Sequence, residues 1–327
     1  MSPSRVARLA LVVLGALVAV DVAHEAFKVG GDRFIPLIDN VIYDAVIFAS
    51  GLLCIARTVQ LRQHRGWAVL GVGLIAFGIG DTLWDILYPD AQPRGDVTIS
   101  DVFWLGWFPF AFAGLYMLIR SRIEDFDMPR WIDGIAVALI VATPGVALAV
   151  QPVVDEAHRT TLIDAVAIAY PIGDMLLLGA AVGVLALTGW RPGRTWGLFC
   201  IGMSTWVVAD ALFAVEVIKG TYQQGQFDWL WPVGAYLLAV AAWGPQETIK
   251  ATDPVGWKAI ALPLICQVVA IATQFYGFFH HIPEAERIMT IAVLMLVVVQ
   301  LVVGRPRSRP AEAGTQAGDR VLESQAA

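Results

Sequence analysis

The chain has 327 residues, 57% of them apolar and only 15% charged, with a mean hydropathy of +0.67. That composition excludes an ordinary soluble enzyme, and the long apolar runs leave no stretch for a separate soluble catalytic domain. The net charge of −6 does not call for a basic partner or nucleic acid, because the acidic residues gather in loops and helix ends on one side of the expected membrane and in the tail.

A membrane-crossing helix needs about 20 predominantly apolar residues. In chain order the runs predict helices over Val6–Ala23, Ile35–Ala56, Trp67–Tyr88, Ile99–Ile119 and Trp131–Val150, then Leu162–Leu187, Trp196–Ile218, Phe227–Trp243, Trp257–Phe279 and Ile288–Val303. The expected fold is all-α, a polytopic membrane protein of about ten transmembrane helices over residues 1–304. Residues 305–327, rich in Arg, Ala, Glu and Gly without periodicity, read as a disordered cytoplasmic tail.

Lys and Arg are retained on the cytoplasmic side. With both termini inside, Lys28, Arg33, Arg94, Arg159, Lys219 and Arg287 fall outside and the other sixteen of the 22 basic residues fall inside. The expected location is therefore the cytoplasmic membrane, with an even number of spans. Arg5 and Arg8 before a short apolar run also fit a cleaved signal peptide, but Asp21 stands where a small residue should precede cleavage after Ala23. Cys54, Cys200 and Cys266 lie alone on three different helices and read as packing thiols.

The chain resembles itself at an offset of 129 residues. Trp67, Leu70, Gly73, Asp81 and Trp84 match Trp196, Phe199, Gly202, Asp210 and Phe213, and Asp101 with Trp104 matches Asp228 with Trp231. Ile38-Asp39 and Ile163-Asp164 open the preceding helix of each unit. Two parallel four-helix repeats are expected, about 35–150 and 161–279, with a site where they meet. A duplicated scaffold that merely packs well gives the same pattern, and Gly179 with Gly183 at GxxxG spacing fits close helix approach.

A charge at the bilayer centre costs on the order of 3 kcal/mol or more. Asp39, Asp44, Asp81, Asp85, Asp101, Asp164, Asp174, Asp210 and Asp228 nevertheless fall in or at the outer half of predicted helices, with no Lys or Arg expected in the helix interiors. Asp101 and Asp228 open helices, where N-capping explains them; Asp39 and Asp164 are similar. Asp174 lies about a dozen residues into its helix, after Tyr170-Pro171, and the proline frees a backbone carbonyl there. Asp44, Asp81, Asp174 and Asp210, with Tyr170, Trp84 and Trp206, form the candidate ligand site, because acids beside indole faces suit a cation or an amphipathic ligand. Trp206 stands one turn before Asp210. Packing and an interfacial aromatic belt account for the same tryptophans equally simply.

Other constellations are weaker. Asp81 and Asp85 form a DxxxD that could hold Mg²⁺ and a pyrophosphate, but the second half offers no counterpart and no basic grip for phosphate. His24, His158, His280 and His281 map to the outer side among acids, where a metal or pH-sensing site competes with ordinary solvation. No Ser-His-Asp, HExxH or Walker pattern is present, so no catalytic residue, metal or cofactor is assigned.

The run Ala169-Tyr170-Pro171-Ile172-Gly173-Asp174 through Gly179, with Ser100-Asp101-Val102-Phe103-Trp104, Pro109, Ala209-Asp210-Ala211-Leu212-Phe213 and Asp228-Trp229-Leu230-Trp231, resembles the multi-helix membrane region that precedes GGDEF/EAL-type cyclic-di-GMP signalling domains of actinobacterial type. The resemblance implies a membrane-embedded sensory or anchoring module governing cytoplasmic output. The chain departs from that family after the tenth predicted helix, where no output domain follows. Gly30-Gly31-Asp32-Arg33-Phe34 is close to GGDEF by chance, in a short loop without the surrounding α/β domain. The expected function is a non-enzymatic module that binds an unidentified small ligand from the outer side and acts through a separate cytoplasmic signalling protein; a proton-coupled small-molecule transporter is the alternative.

Overall fold

A computed structural model describes residues 5–31, 34–61, 65–88, 97–124, 135–136, 139–140, 161–187, 192–219, 221–222, 226–245, 249–250, 257–279, 282 and 284–303. The described residues are almost entirely helical. The longer elements are α1 (Arg5–Phe27), α2 (Tyr43–Leu61), α3 (Gly66–Leu87), α4 (Ile99–Arg122), α5 (Thr161–Leu187), α6 (Gly193–Lys219), α7 (Leu230–Ala242), α8 (Trp257–Tyr276) and α9 (Glu284–Val303). A π-helix, Pro36–Ile42, leads into α2, and Ile123–Glu124 pairs in parallel with Ile249–Lys250. The expected helix over Trp131–Val150, the tail 305–327 and the outer histidines His158, His280 and His281 lie outside the described residues, apart from the four at 135–136 and 139–140.

Among the described residues, five helices are long and apolar enough to cross a membrane: Arg5–Phe27, Pro36–Gln60, Gly66–Leu87, Ile99–Ser121 and Gly193–Val217. Ala169–Leu185 and Leu230–Ala242 are shorter apolar helices. The chain is built as a helical membrane protein, and the side chains of Val6, Leu9, Val12, Val13 and Val20 exposed along α1 are the surface that lipid covers.

Packing closes α2 to α7 into a ring: α2 on α3, α3 on α4, α4 on α5, α5 on α6, α6 on α7, and α7 back on α2. α3 buries Trp67, Leu70, Leu74 and Phe77, an i, i+3, i+7, i+10 stripe directed into the ring. Large rings fill the interior. Trp206 stacks on Trp107 at 4.9 Å between centroids and meets the edge of Phe77 at 4.7 Å, while Trp67 and Phe199 approach at 6.2 Å. α1 packs outside the ring on α2 and α7, and α8 pairs with α9.

Close backbone approach requires glycine at the α2/α3 crossing. A Cβ on Gly51 would stand 2.7 Å from the Gly71 carbonyl oxygen, and one on Gly71 would stand 2.5 Å from that of Gly51. No other residue lets two helices meet there.

α7 has 13 residues and is about 20 Å long at 1.5 Å per residue, short of a hydrocarbon core of about 30 Å. Its ends would therefore expose backbone groups where no water solvates them. Neighbouring helices cap both. Glu25 of α1 accepts the Trp229 N–H at 2.6 Å, and Arg57 of α2 donates to the Ala242 carbonyl at 3.2 Å. An acid at the N-terminus and a base at the C-terminus also oppose the helix dipole.

The expected helix from Phe227 is shortened because Phe227 to Trp229 form a turn, with Leu230 and Trp231 donating to the carbonyls of Phe227 and Asp228. The expectation that no Lys or Arg enters a helix interior is also corrected. Arg57 is 1% exposed, lies over the Trp243 ring at 5.0 Å, and donates to Gln60 at 3.4 Å. Its neutralisation comes from carbonyl dipoles and a π-face rather than from a carboxylate.

Candidate functional site

The acidic side chains converge at one end of the ring, where α1 and α3 end and α2, α4, α5 and α7 begin. Arg57 marks the other end: it is 13 residues along α2 from Asp44, about 20 Å away.

Two arrangements repeat the same chemistry. Trp104 Nε1 of α4 donates to Asp81 Oδ1 of α3 at 2.8 Å, and Trp231 Nε1 of α7 donates to Asp210 Oδ1 of α6 at 2.7 Å. Each indole also packs against an aromatic one turn beyond its aspartate's own position: Trp84 with Trp104 at 5.8 Å and Phe213 with Trp231 at 6.0 Å. A rigid indole N–H fixes one carboxyl oxygen and aims the other.

The surroundings of these two anchors differ. Beside Asp81, Thr82 Oγ1 donates to Asp44 Oδ2 at 2.5 Å, and Asp44 Oδ1 and Asp81 Oδ2 are buried without a hydrogen-bond partner. Beside Asp210, Asp174 of α5 is 3% exposed and in side-chain hydrogen-bond contact with Asp210. Two carboxyl groups hold such a contact only with a proton between them. Asp174 Oδ1 is buried without a partner.

Tyr170 OH donates to Asp101 Oδ1 at 2.7 Å, which ties α5 to α4 and lies within electrostatic range of Asp81 and Asp210. Tyr222 OH donates to Asp228 Oδ2 at 2.9 Å. Burial, then the charges of Asp228, Glu25 and Asp81, push the Tyr222 phenol up, so it serves as a donor.

The expected site residues thus fall into three groups. Asp44 adjoins Asp81, Asp174 adjoins Asp210, and Tyr170 lies within range of both Asp81 and Asp210. Trp84 is half-buried beside Trp104 and Tyr88. Trp206 is fully buried in the ring interior, where its i, i+4 relation to Asp210 serves packing against Trp107 and Phe77.

The N-cap reading of Asp101 and Asp228 is revised. Asp101 is the third residue of α4 and accepts from the Thr98 N–H at 2.7 Å and the Thr98 hydroxyl at 2.9 Å, the N3 half of a capping box. The Thr98-x-x-Asp101 spacing carries that signal. At α7 the N-cap position is Trp229, and its N–H goes to Glu25 instead. Sequence reasoning placed Glu25 among the outer acids beside His24 but missed its bond to Trp229, which is 204 residues away. It also missed Thr82 and the buried face of α1.

Cys54 and Cys200 are buried and free, with the Cys200 thiol directed to the Ala181 carbonyl at 3.4 Å. Among the described residues, no three His, Cys, Asp or Glu side chains stand close enough to hold a metal ion. An open recess of about 480 Å³ lies between α4 and α5, lined by Leu105, Phe108, Ala165, Ala169, Ile172 and Gly173. Its walls suit an acyl chain and carry no catalytic group. No protein-family model, curated protein or solved structure matches this chain.

Proposed function

We propose that the chain is a non-catalytic membrane sensory module, made of two homologous parallel halves, which takes a ligand at its acidic end and passes a change to a separate cytoplasmic protein. The observation that carries this reading is the matched pair of indole-to-carboxyl bonds, Trp104 to Asp81 and Trp231 to Asp210, which join residues 23 and 21 positions apart. Such a coincidence is expected of a duplicated helix pair and is hard to obtain otherwise. Swapping the halves exchanges the α2/α7 and α4/α5 packings, and it brings Phe77 onto Trp206, the two rings that touch in the middle.

The bias of Lys and Arg supports an outer location for the acidic end, with both termini cytoplasmic. Asp44 Oδ1 and Asp81 Oδ2, buried near that end without partners, are then the acceptors left for a cationic or hydrogen-bond-donating ligand. The resemblance of the Tyr170–Gly179 and Asp228–Trp231 motifs to membrane regions of cyclic-di-GMP signalling proteins supplies the direction of output.

Mass spectrometry of the protein gently purified from native membranes tests the proposal. A stoichiometric cytoplasmic signalling protein supports it; a bound metabolite with no protein partner moves the reading to transport. One observation favours that second reading: the proton-requiring contact of Asp174 with Asp210 inside the bundle. In a transporter, Asp174→Asn abolishes proton-coupled flux in vesicles, whereas in a sensor no such flux exists in either protein.

A further inference from the structure

α1 docks on α2, on α7 and on the π-helix before α2 through one narrow stripe. Its first part is apolar, Leu14 and Val18 against Val46. Its last part is not: Asp21 is 0% exposed, Glu25 2% and His24 4%, and they meet Asp39 at 9% and Asp228 at 8%. An apolar helix could have docked here with alanine or leucine, so burying three titratable groups at one seam demands a physical reason.

The groups around Asp21 are almost all acidic. On α1 itself stand His24 and Glu25; from the π-helix comes Asp39, from the turn before α7 comes Asp228, and Tyr43 of α2 lies within range of Glu25 and Asp228. Tyr236 of α7 faces α1 farther down, beside Gly15. Asp39 already has His24 Nε2 at 3.5 Å and the charge of Lys28 nearby. Glu25 has a partner, since Oε2 takes the Trp229 N–H at the N-terminus of α7. Asp21 has none: both of its oxygens are buried with no hydrogen-bond partner.

We propose that Asp21 is a proton-binding site that controls the docking of α1, holding a proton while α1 is seated and releasing it when α1 lifts away. Glu25 Oε1, also buried without a partner, lies one turn along the same helix. Deprotonation with α1 still docked would leave a bare carboxylate beside Glu25, Asp39 and Asp228 in a site closed to water. Opening relieves it, and it also withdraws Glu25 from the end of α7. High pH therefore undocks α1 and uncaps α7 together.

The experiment is hydrogen exchange by mass spectrometry on the full-length protein in lipid nanodiscs across a pH series, corrected for the intrinsic dependence of exchange. The segments read are the end of α1 and the Trp229 amide. One proton lost on opening makes the opening constant rise about tenfold per pH unit above the ordinary carboxylate range. Asp21→Asn keeps the shape and removes the proton, so its profile is flat. Glu25→Gln keeps an acceptor for Trp229 but makes a docked, ionised Asp21 less costly, so the rise is smaller and levels off at a lower pH. The proposal is overturned by pH-independent protection in the unmodified protein, by a full slope in Asp21→Asn, or by recovery of protection at high pH on adding Na⁺ or Ca²⁺, which would make the site one for a metal cation.

Discussion

The α2/α3 crossing offers the sharpest test of the packing. Replacing Gly71 by Ala places a Cβ 2.5 Å from the Gly51 carbonyl oxygen. An acceptable C···O contact is about 3.3 Å, so the helices must separate by about 0.8 Å, and overpacking of that kind costs about 1–3 kcal/mol. The better helix propensity of Ala returns up to about 1 kcal/mol. The net expectation is a loss of about 1–2 kcal/mol. Gly202→Ala meets the Gly234 carbonyl oxygen at 3.0 Å and needs a shift of only about 0.3 Å, so the two effects nearly cancel. Gly106 has nothing within 4 Å of its Cβ position, and Gly106→Ala should gain about 0.5–1 kcal/mol. Reversible unfolding by SDS titration in mixed micelles ranks the three. A Gly71→Ala protein as stable as the parent, or a Gly106→Ala protein less stable than Gly202→Ala, refutes the reasoning.

Trp104→Phe and Trp231→Phe each remove the indole donor from a carboxyl group and should each cost about 1–3 kcal/mol by the same titration; a large inequality would show that the two anchors are not equivalent. Arg57→Ala removes a charged donor from the end of α7 and a cation from the Trp243 face, at a cost of about 2–4 kcal/mol, with increased exchange at the C-terminal turn of α7 as the local readout. Because the folded Tyr222 phenol is pushed up from its ordinary value of about 10, its hydrogen bond to Asp228 contributes fully below that pH and is lost as pH rises through the folded value. Comparing phenolate absorbance of the parent and Tyr222→Phe proteins should therefore reveal one tyrosine that ionises only on alkaline unfolding.

Hydropathy located most helices to within a few residues, because lipid imposes one rule on every span. The departures are local. Pro36 lacks an N–H, and the turns that follow it widen into a π-helix that period counting does not see. Glycine and aromatic offsets suggest a repeat, but they do not specify that Trp104 and Trp231 each bond a carboxyl group. The acids were visible as costly residues, but their partners were not: Asp174 meets Asp210 across two helices, and Glu25 reaches Trp229 from the far end of the chain. Counting basic residues grouped Arg57 with those expected on the cytoplasmic side. It did not reveal that the side chain turns inward, because inside-positive bias records where a helix ends and not which face it presents.

The two seams of the ring are mechanically unlike. At the α2/α7 seam, Arg57 grips the Ala242 carbonyl and the Trp243 indole returns a bond to the Leu53 carbonyl at 3.0 Å, so α2, with no proline in its length, is a strut clamped at its lower end. At the α4/α5 seam both helices carry an interior proline, Pro109 and Pro171, and the walls stand apart around the open recess. Each proline deletes one rung of its helical ladder, four residues ahead of a carbonyl that then has no amide to hold. Force applied at the acidic end would therefore bend α4 and α5 while α2 transmits it unbent, which makes one side of the ring a hinge and the other a lever.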